Sequence, residues 1–143
     1  LTHKSIKDCT DYAEEQIRAN PNIKLNIKID EAVGTSGTIQ SAAWMIAHPG
    51  KLRNNKSLNG FSFTYDQLRE LTEKMLSYKT LEERTFIQGI ELKRADILPA
   101  GLIILSRVFE LFNLNRMTIS EYALREGIIS QMLINSAKHK TFQ

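Results

Sequence analysis

The chain has 143 residues, with 42% hydrophobic and 24% charged, and its 19 Lys and Arg outnumber its 16 Asp and Glu for a formal net charge of +3. This suits one globular domain with a core of its own and is compatible with an anionic ligand, without identifying one. A single cysteine, Cys9, excludes an internal disulfide and fits a reducing, cytoplasmic setting; no apolar run reaches the ~20 residues of a membrane span, and no signal peptide is expected. The chain starts at Leu1 rather than Met, which raises the expectation of a piece of something longer.

From Thr2 to Asn20, Ile6, Cys9, Ala13 and Ile17 form one stripe of an amphipathic helix that Pro21 ends. Cys9 on that stripe is read as a buried, inert thiol. Ile23, Leu25, Ile27 and Ile29 then alternate with polar residues, a period of two that predicts extended chain, with a strand at Ile29–Val33.

The rest of the chain is organised around the stretch Ala32-Val33-Gly34-Thr35-Ser36-Gly37-Thr38-Ile39-Gln40. An apolar, β-branched run meets two glycines separated by hydroxyl residues, and then Ile39, Ala42, Ala43 and Ile46 recur at helical spacing. Strand, glycine turn and helix N-terminus in succession present free backbone N–H groups and the positive end of a helix dipole, which suits a phosphate. The glycines would permit positive φ and close approach of a ligand. The same pattern also serves as a plain strand-to-helix connection, in which Thr35, Ser36 and Thr38 merely cap the helix. No Lys follows Gly37, so this is not a Walker loop.

The helix runs to about His48 before Pro49-Gly50, with Trp44 and His48 as core and boundary residues. Lys51–Gly60, with Lys51, Arg53 and Lys56, reads as a polar loop, and Phe61–Phe63 as a short extended piece. Thr64 with Gln67 and Thr80 with Glu83 carry the capping-box signature, so a helix starts at each; the second is expected to end near Gly89. Asp96–Phe112 is apolar almost all round and predicts a central buried helix, with Asp96 as N-cap and Pro99 in the first turn. Met117–Ser120 reads as a strand, Leu124–Ile134 as the last helix, and Ser136–Gln143 as a polar tail that frays.

These elements define an α/β, mostly helical chain with parallel strands joined by helical crossovers. Two short strands are too few for a self-standing sheet, so further strands are expected upstream. His3, His48 and His139 lack ligand partners at metal spacing, so no metal is predicted to bind this chain, and no Ser/His/Asp or Cys/His arrangement is visible. Arg94 and Arg125 either face a ligand or pair with Asp96 or Glu126 inside the fold, and Gly101 and Gly127 are expected to serve close helix packing.

Three strings then carry a resemblance: Val33 to Gln40, Ile90-Glu91-Leu92-Lys93-Arg94-Ala95-Asp96-Ile97-Leu98-Pro99-Ala100-Gly101, and Ala123-Leu124-Arg125-Glu126-Gly127-Ile128-Ile129. In this order and spacing the chain resembles, from about Ile29 to Leu133, the exopolyphosphatase and guanosine pentaphosphate phosphohydrolase family of the actin-like ATPase superfamily. The resemblance implies that residues 1–143 are the C-terminal part of the second of two ribonuclease H-like domains, with the N-terminal domain and first strands absent. It implies a parent that releases terminal phosphate from polyphosphate or guanosine pentaphosphate with Mg2+, using a glutamate base of the missing domain, and that works as a homodimer without membrane or nucleic acid. Gly34, Thr35, Ser36, Gly37, Thr38 and Arg125 would then face the phosphate cleft, while Arg94, Asp96, Glu126 and Gly127 would be structural. The competing expectations are a non-catalytic helical interaction module and a nucleotide-dependent kinase of the same superfamily.

Overall fold

The computed structural model describes residues 1–140 apart from 53 and 55, with side chains as far as Ser136. Arg53 of the expected polar loop and residues 141–143 of the expected tail lie outside the described residues. In chain order the elements are α1 (His3–Ala19), β1 (Val33–Gly34), α2 (Gly37–Ala47), β2 (Ser62–Thr64), α3 (Tyr65–Ser77), α4 (Leu81–Thr85), a 3-10 turn (Leu92–Arg94), α5 (Leu98–Leu111), β3 (Arg116–Ile119) and α6 (Leu124–Lys140). None of these helices is long and apolar enough to cross a membrane.

The local signals hold. Thr64 and Thr80 each accept a hydrogen bond from the backbone N–H three residues on, and Gln67 and Glu83 reciprocate, so both capping boxes form. The Glu83 carboxylate is held below its usual range by the backbone N–H groups of Thr80 and Lys79. α4, however, stops at Thr85, and a turn with Gly89 at positive φ comes after it.

The sheet is mixed rather than purely parallel. β1 pairs parallel to β3, with Val33 opposite Thr118, as the crossover pattern predicts. β2, from the short extended piece, adds antiparallel on the other side of β3 with Phe63 opposite Met117. The strand expected at Ile29–Val33 shrinks to Val33–Gly34. Residues from Ile23 to Ala32 alternate as a strand would but form no ladder, apart from the Ala32 carbonyl, which accepts from Thr118 N at 2.9 Å. Alternation alone does not make a strand without a neighbour to bond.

α5 is the hub of the core, packing against α1, α2 and α3. Its Leu98, Leu102, Leu105 and Phe109 are buried, and Phe109 stacks on both Phe63 and Tyr65 at 5.8 Å between ring centroids. Burial of each such side chain contributes ~1.5–3 kcal/mol. Pro99 sits in the first turn as predicted, but the N-cap is Ile97; Asp96 does not cap the helix and instead accepts from Ile97 N at 2.9 Å. Arg107 locks α5 to α1, pairing with Glu14 and with Glu110, and Tyr65 donates to Glu110 at 2.5 Å. Burial and that carboxylate push the Tyr65 phenol up to about 12.

α6 does not cover α5. Leu124, Ile128, Ile129, Met132, Leu133 and Ile134 are all exposed, and the helix continues from Ser136 to Lys140, where the polar composition predicts fraying. β1 is an edge strand with Val33 56% exposed. Six exposed apolar side chains on one helix and an open parallel edge recruit other chains. We therefore expect the isolated chain to self-associate, with sedimentation showing a mass that rises with concentration; a monomer at every concentration would contradict this.

Nothing in the sequence pattern marks Arg84, yet it is only 6% exposed. Its Nε donates to Ala95 O at 2.9 Å and its Nη1 to Tyr78 O at 3.0 Å, joining α4 to the entrance of α5. Arg84→Met leaves both carbonyls without their donor, and should cost about 2–4 kcal/mol in a urea melt.

Candidate functional site

The turn between β1 and α2 is built by sterics rather than by unusual backbone angles. Neither Gly34 nor Gly37 has positive φ, which corrects the expected role of these glycines. Gly34 is buried, and a Cβ there would stand 2.6 Å from Met117 Sδ and 2.9 Å from Ile39. The turn thus lies directly on β3, and its end is fixed by Ser120 N donating to Gly34 O at 2.9 Å.

The hydroxyl residues divide their roles. Ser36 is the N-cap of α2, accepting from Ile39 N at 3.2 Å through Oγ, while its carbonyl accepts from Gln40 N at 2.8 Å. Thr38 packs into α5, where a Cβ on Gly101 would come within 2.7 Å of its Oγ1. Thr35 is exposed above the turn. Among the described residues the Gly37 and Thr38 N–H groups have no partner, and the first turn of α2 holds no acidic residue to neutralise the positive end of the helix. The start of α5, also without an acidic residue, lies alongside through the Thr38–Gly101 contact.

Arg94 completes this constellation. Its guanidinium covers Gly37 so closely that a Cβ there would lie 2.5 Å from Cζ. Nε meets Glu91 Oε2 at 3.1 Å, so the pairing expected with Asp96 or Glu126 is replaced by one with Glu91. The side chain remains 32% exposed, a cation set against a helix N-terminus and reachable from solvent. Sequence alone hides this contact, because the two residues lie far apart in the chain.

Arg125, in the first turn of α6, is 86% exposed with its Nε 3.4 Å from Glu126. The Glu126 carboxylate caps α6 by accepting from Ala123 N at 2.9 Å, which holds it below the usual range. Gly101 serves close helix packing as expected, but Gly127 does not: it is exposed, and a Cβ there would meet nothing within 4 Å. Cys9, expected to be buried, is only half-buried, and that partial burial raises its thiol above the usual range. Among the described residues no group of three or more His, Cys, Asp or Glu is placed to hold a metal ion.

The chain belongs to the Ppx/GppA phosphatase family, whose model matches residues 1–136. A guanosine-5'-triphosphate,3'-diphosphate pyrophosphatase of Photobacterium profundum is 29% identical over 139 residues, covering 97% of this chain and 26% of that protein. A Haemophilus influenzae protein named as an exopolyphosphatase is 39% identical over 97 residues, covering 68% of this chain and 28% of that one. The crystal structure of the Aquifex aeolicus Ppx/GppA family member superposes with a TM-score of 0.78 at 23% identity, over 94% of this chain and 42% of that one. The chain therefore spans about a quarter of the length of these curated relatives.

Gly37→Ala isolates the contact between Arg94 and the turn. The methyl group displaces only the end of a flexible side chain, so the thermal melt should shift by less than about 1 kcal/mol. Orthophosphate binding to the full-length protein, followed by calorimetry, should weaken about tenfold through loss of a charge-assisted contact.

Proposed function

We propose that the turn from Gly34 to Thr38 is a phosphate seat in one wall of the substrate cleft of a phosphoanhydride hydrolase. The full-length protein would release terminal phosphate from polyphosphate or guanosine pentaphosphate. The observation that carries this is the Arg94 guanidinium lying over Gly37 at the positive start of α2. Membership of the Ppx/GppA phosphatase family and the names of the relatives support the two substrates.

In this proposal the chain is the C-terminal part of a ribonuclease H-like domain of the actin-like type, in a cytoplasmic homodimer. The free edge of β1 and the apolar side of α6 pack against the protein's own preceding part. The general base and Mg2+ belong to that part, so this chain binds and orients a phosphate without activating water. Gly37 and Thr38 N–H groups and Arg94 hold the phosphoryl oxygens, Thr35 reaches the same space from the rim, and Arg125 contacts a phosphate from the opposite edge.

The test is phosphate release by the full-length protein from both substrates. Activity on either, absent from the isolated chain, is the expected result, since a positioned proton acceptor contributes ~10²–10⁴-fold. Arg125→Ala should lower kcat/KM about 10–100-fold without lowering the melting temperature, as for one lost charge-assisted hydrogen bond. Unchanged efficiency would return Arg125 to a structural pairing with Glu126.

A further inference from the structure

We infer that Glu91 is a positioning residue: its carboxylate holds the Arg94 guanidinium by the Nε edge, so that the two Nη groups face the turn. The inference rests on the proposed phosphate seat and deepens it, from a cation near the turn to a guanidinium of set orientation.

The two residues meet because of the backbone between them. Leu92–Arg94 is a 3-10 turn, with Arg94 N donating to Glu91 O at 2.7 Å and Ala95 N to Leu92 O at 3.2 Å. In that geometry side chains three residues apart eclipse, so Glu91 and Arg94 project side by side. Ala95 is buried, and its carbonyl accepts from Arg84 Nε at 2.9 Å, which ties the turn to α4. The Glu91 side chain does not cap the turn that it starts. Its Oε2 accepts instead from Arg94 Nε at 3.1 Å, with only 20% of the Glu91 side chain exposed.

That bond engages one of the five guanidinium donors and leaves those on Nη1 and Nη2 for a ligand. These are the atoms that crowd Gly37, where an added Cβ would meet both Nη groups before Cζ. An arginine side chain carries a large rotamer entropy, and a partner that removes it before the ligand arrives lowers the cost of binding.

A carboxylate beside an anion seat also acts in the opposite sense, by repelling phosphate. Lys93 offsets that repulsion only in part, since its Nζ lies 3.6 Å from the same Oε2 and the side chain is 79% exposed. Removing the charge alone and removing the hold on Nε therefore shift phosphate affinity in opposite directions. The sign of the change separates the two effects.

Orthophosphate binding to the full-length protein, by calorimetry with thermal melts in parallel, tests this. Glu91→Ala should weaken orthophosphate about three- to tenfold, although it deletes a negative charge. Glu91→Gln, whose amide oxygen still accepts from Nε, should bind at least as tightly as the native protein. Arg94→Ala should weaken binding about tenfold, and adding Glu91→Ala to it should cause no further loss, because Glu91 acts through Arg94. Affinity undiminished in Glu91→Ala, any weakening in Glu91→Gln, or a Glu91→Ala loss that persists without Arg94 overturns the positioning role alone. Orthophosphate bound by Arg94→Ala as tightly as by the native protein overturns the phosphate seat itself, and the role of Glu91 with it.

Discussion

The structure depends on the pairing of β3 with two neighbours. Thr118 N bonds Ala32 O and Ser120 N bonds Gly34 O on one side, while Ile119 N bonds Phe61 O on the other. Tyr65 N, at the start of α3, bonds Asn115 O just before the strand. One short strand thus sets the relative positions of the turn after β1, the loop before β2 and the first residue of α3. Each such bond contributes only about 1 kcal/mol net, but leaving these buried groups unpaired would cost more than that. The apolar side chains of the same strand, Met117 and Ile119, complete the core, so hydrogen bonding and packing specify one register.

Glycine acts here by what it leaves out. Gly34 leaves room for Met117, Gly37 for the guanidinium of Arg94, and Gly101 for Thr38. The result is a turn whose neighbours on three sides are fixed while its open side carries free N–H groups. Left-handed glycines occur in this chain too, at Gly50, Gly60 and Gly89, but none of them belongs to the turn.

How far the sequence discloses each feature depends on the range of the interaction involved. The capping boxes at Thr64 and Thr80 and the end of α1 before Pro21 are decided within a few residues, and they stand where the residues put them. The parallel pairing of Val33 with Thr118 is implied by the helical crossover between them. The strand expected from Ile29 does not form, because Ile23 to Ile29 has the alternation but no partner strand. β2 joins the sheet through a distant strand, which no local pattern announces. The family strings imply a structural Arg94, and only the folded chain shows that it pairs with Glu91 and lies over Gly37. Arg84 is hidden among the charges of a short helix, since burial of an arginine depends on carbonyls contributed by residues outside that helix. α5, expected as a central buried helix, finds its cover in α1, α2 and α3, which no local pattern specifies.

The seat of Thr38 against Gly101 has a mechanical consequence. With no gap between them, the start of α2 cannot tighten around an anion on its own; any inward movement must carry the start of α5 along. α5 is in turn tied to α1 through Arg107 and Glu14, and to α3 through Tyr65 and Glu110. Closing on a ligand is therefore a motion of a whole helical layer, and a stiff one. In the proposed phosphate seat the turn is thus a rigid mould, and the adaptable part of the contact is left to side chains such as Arg94 at its rim.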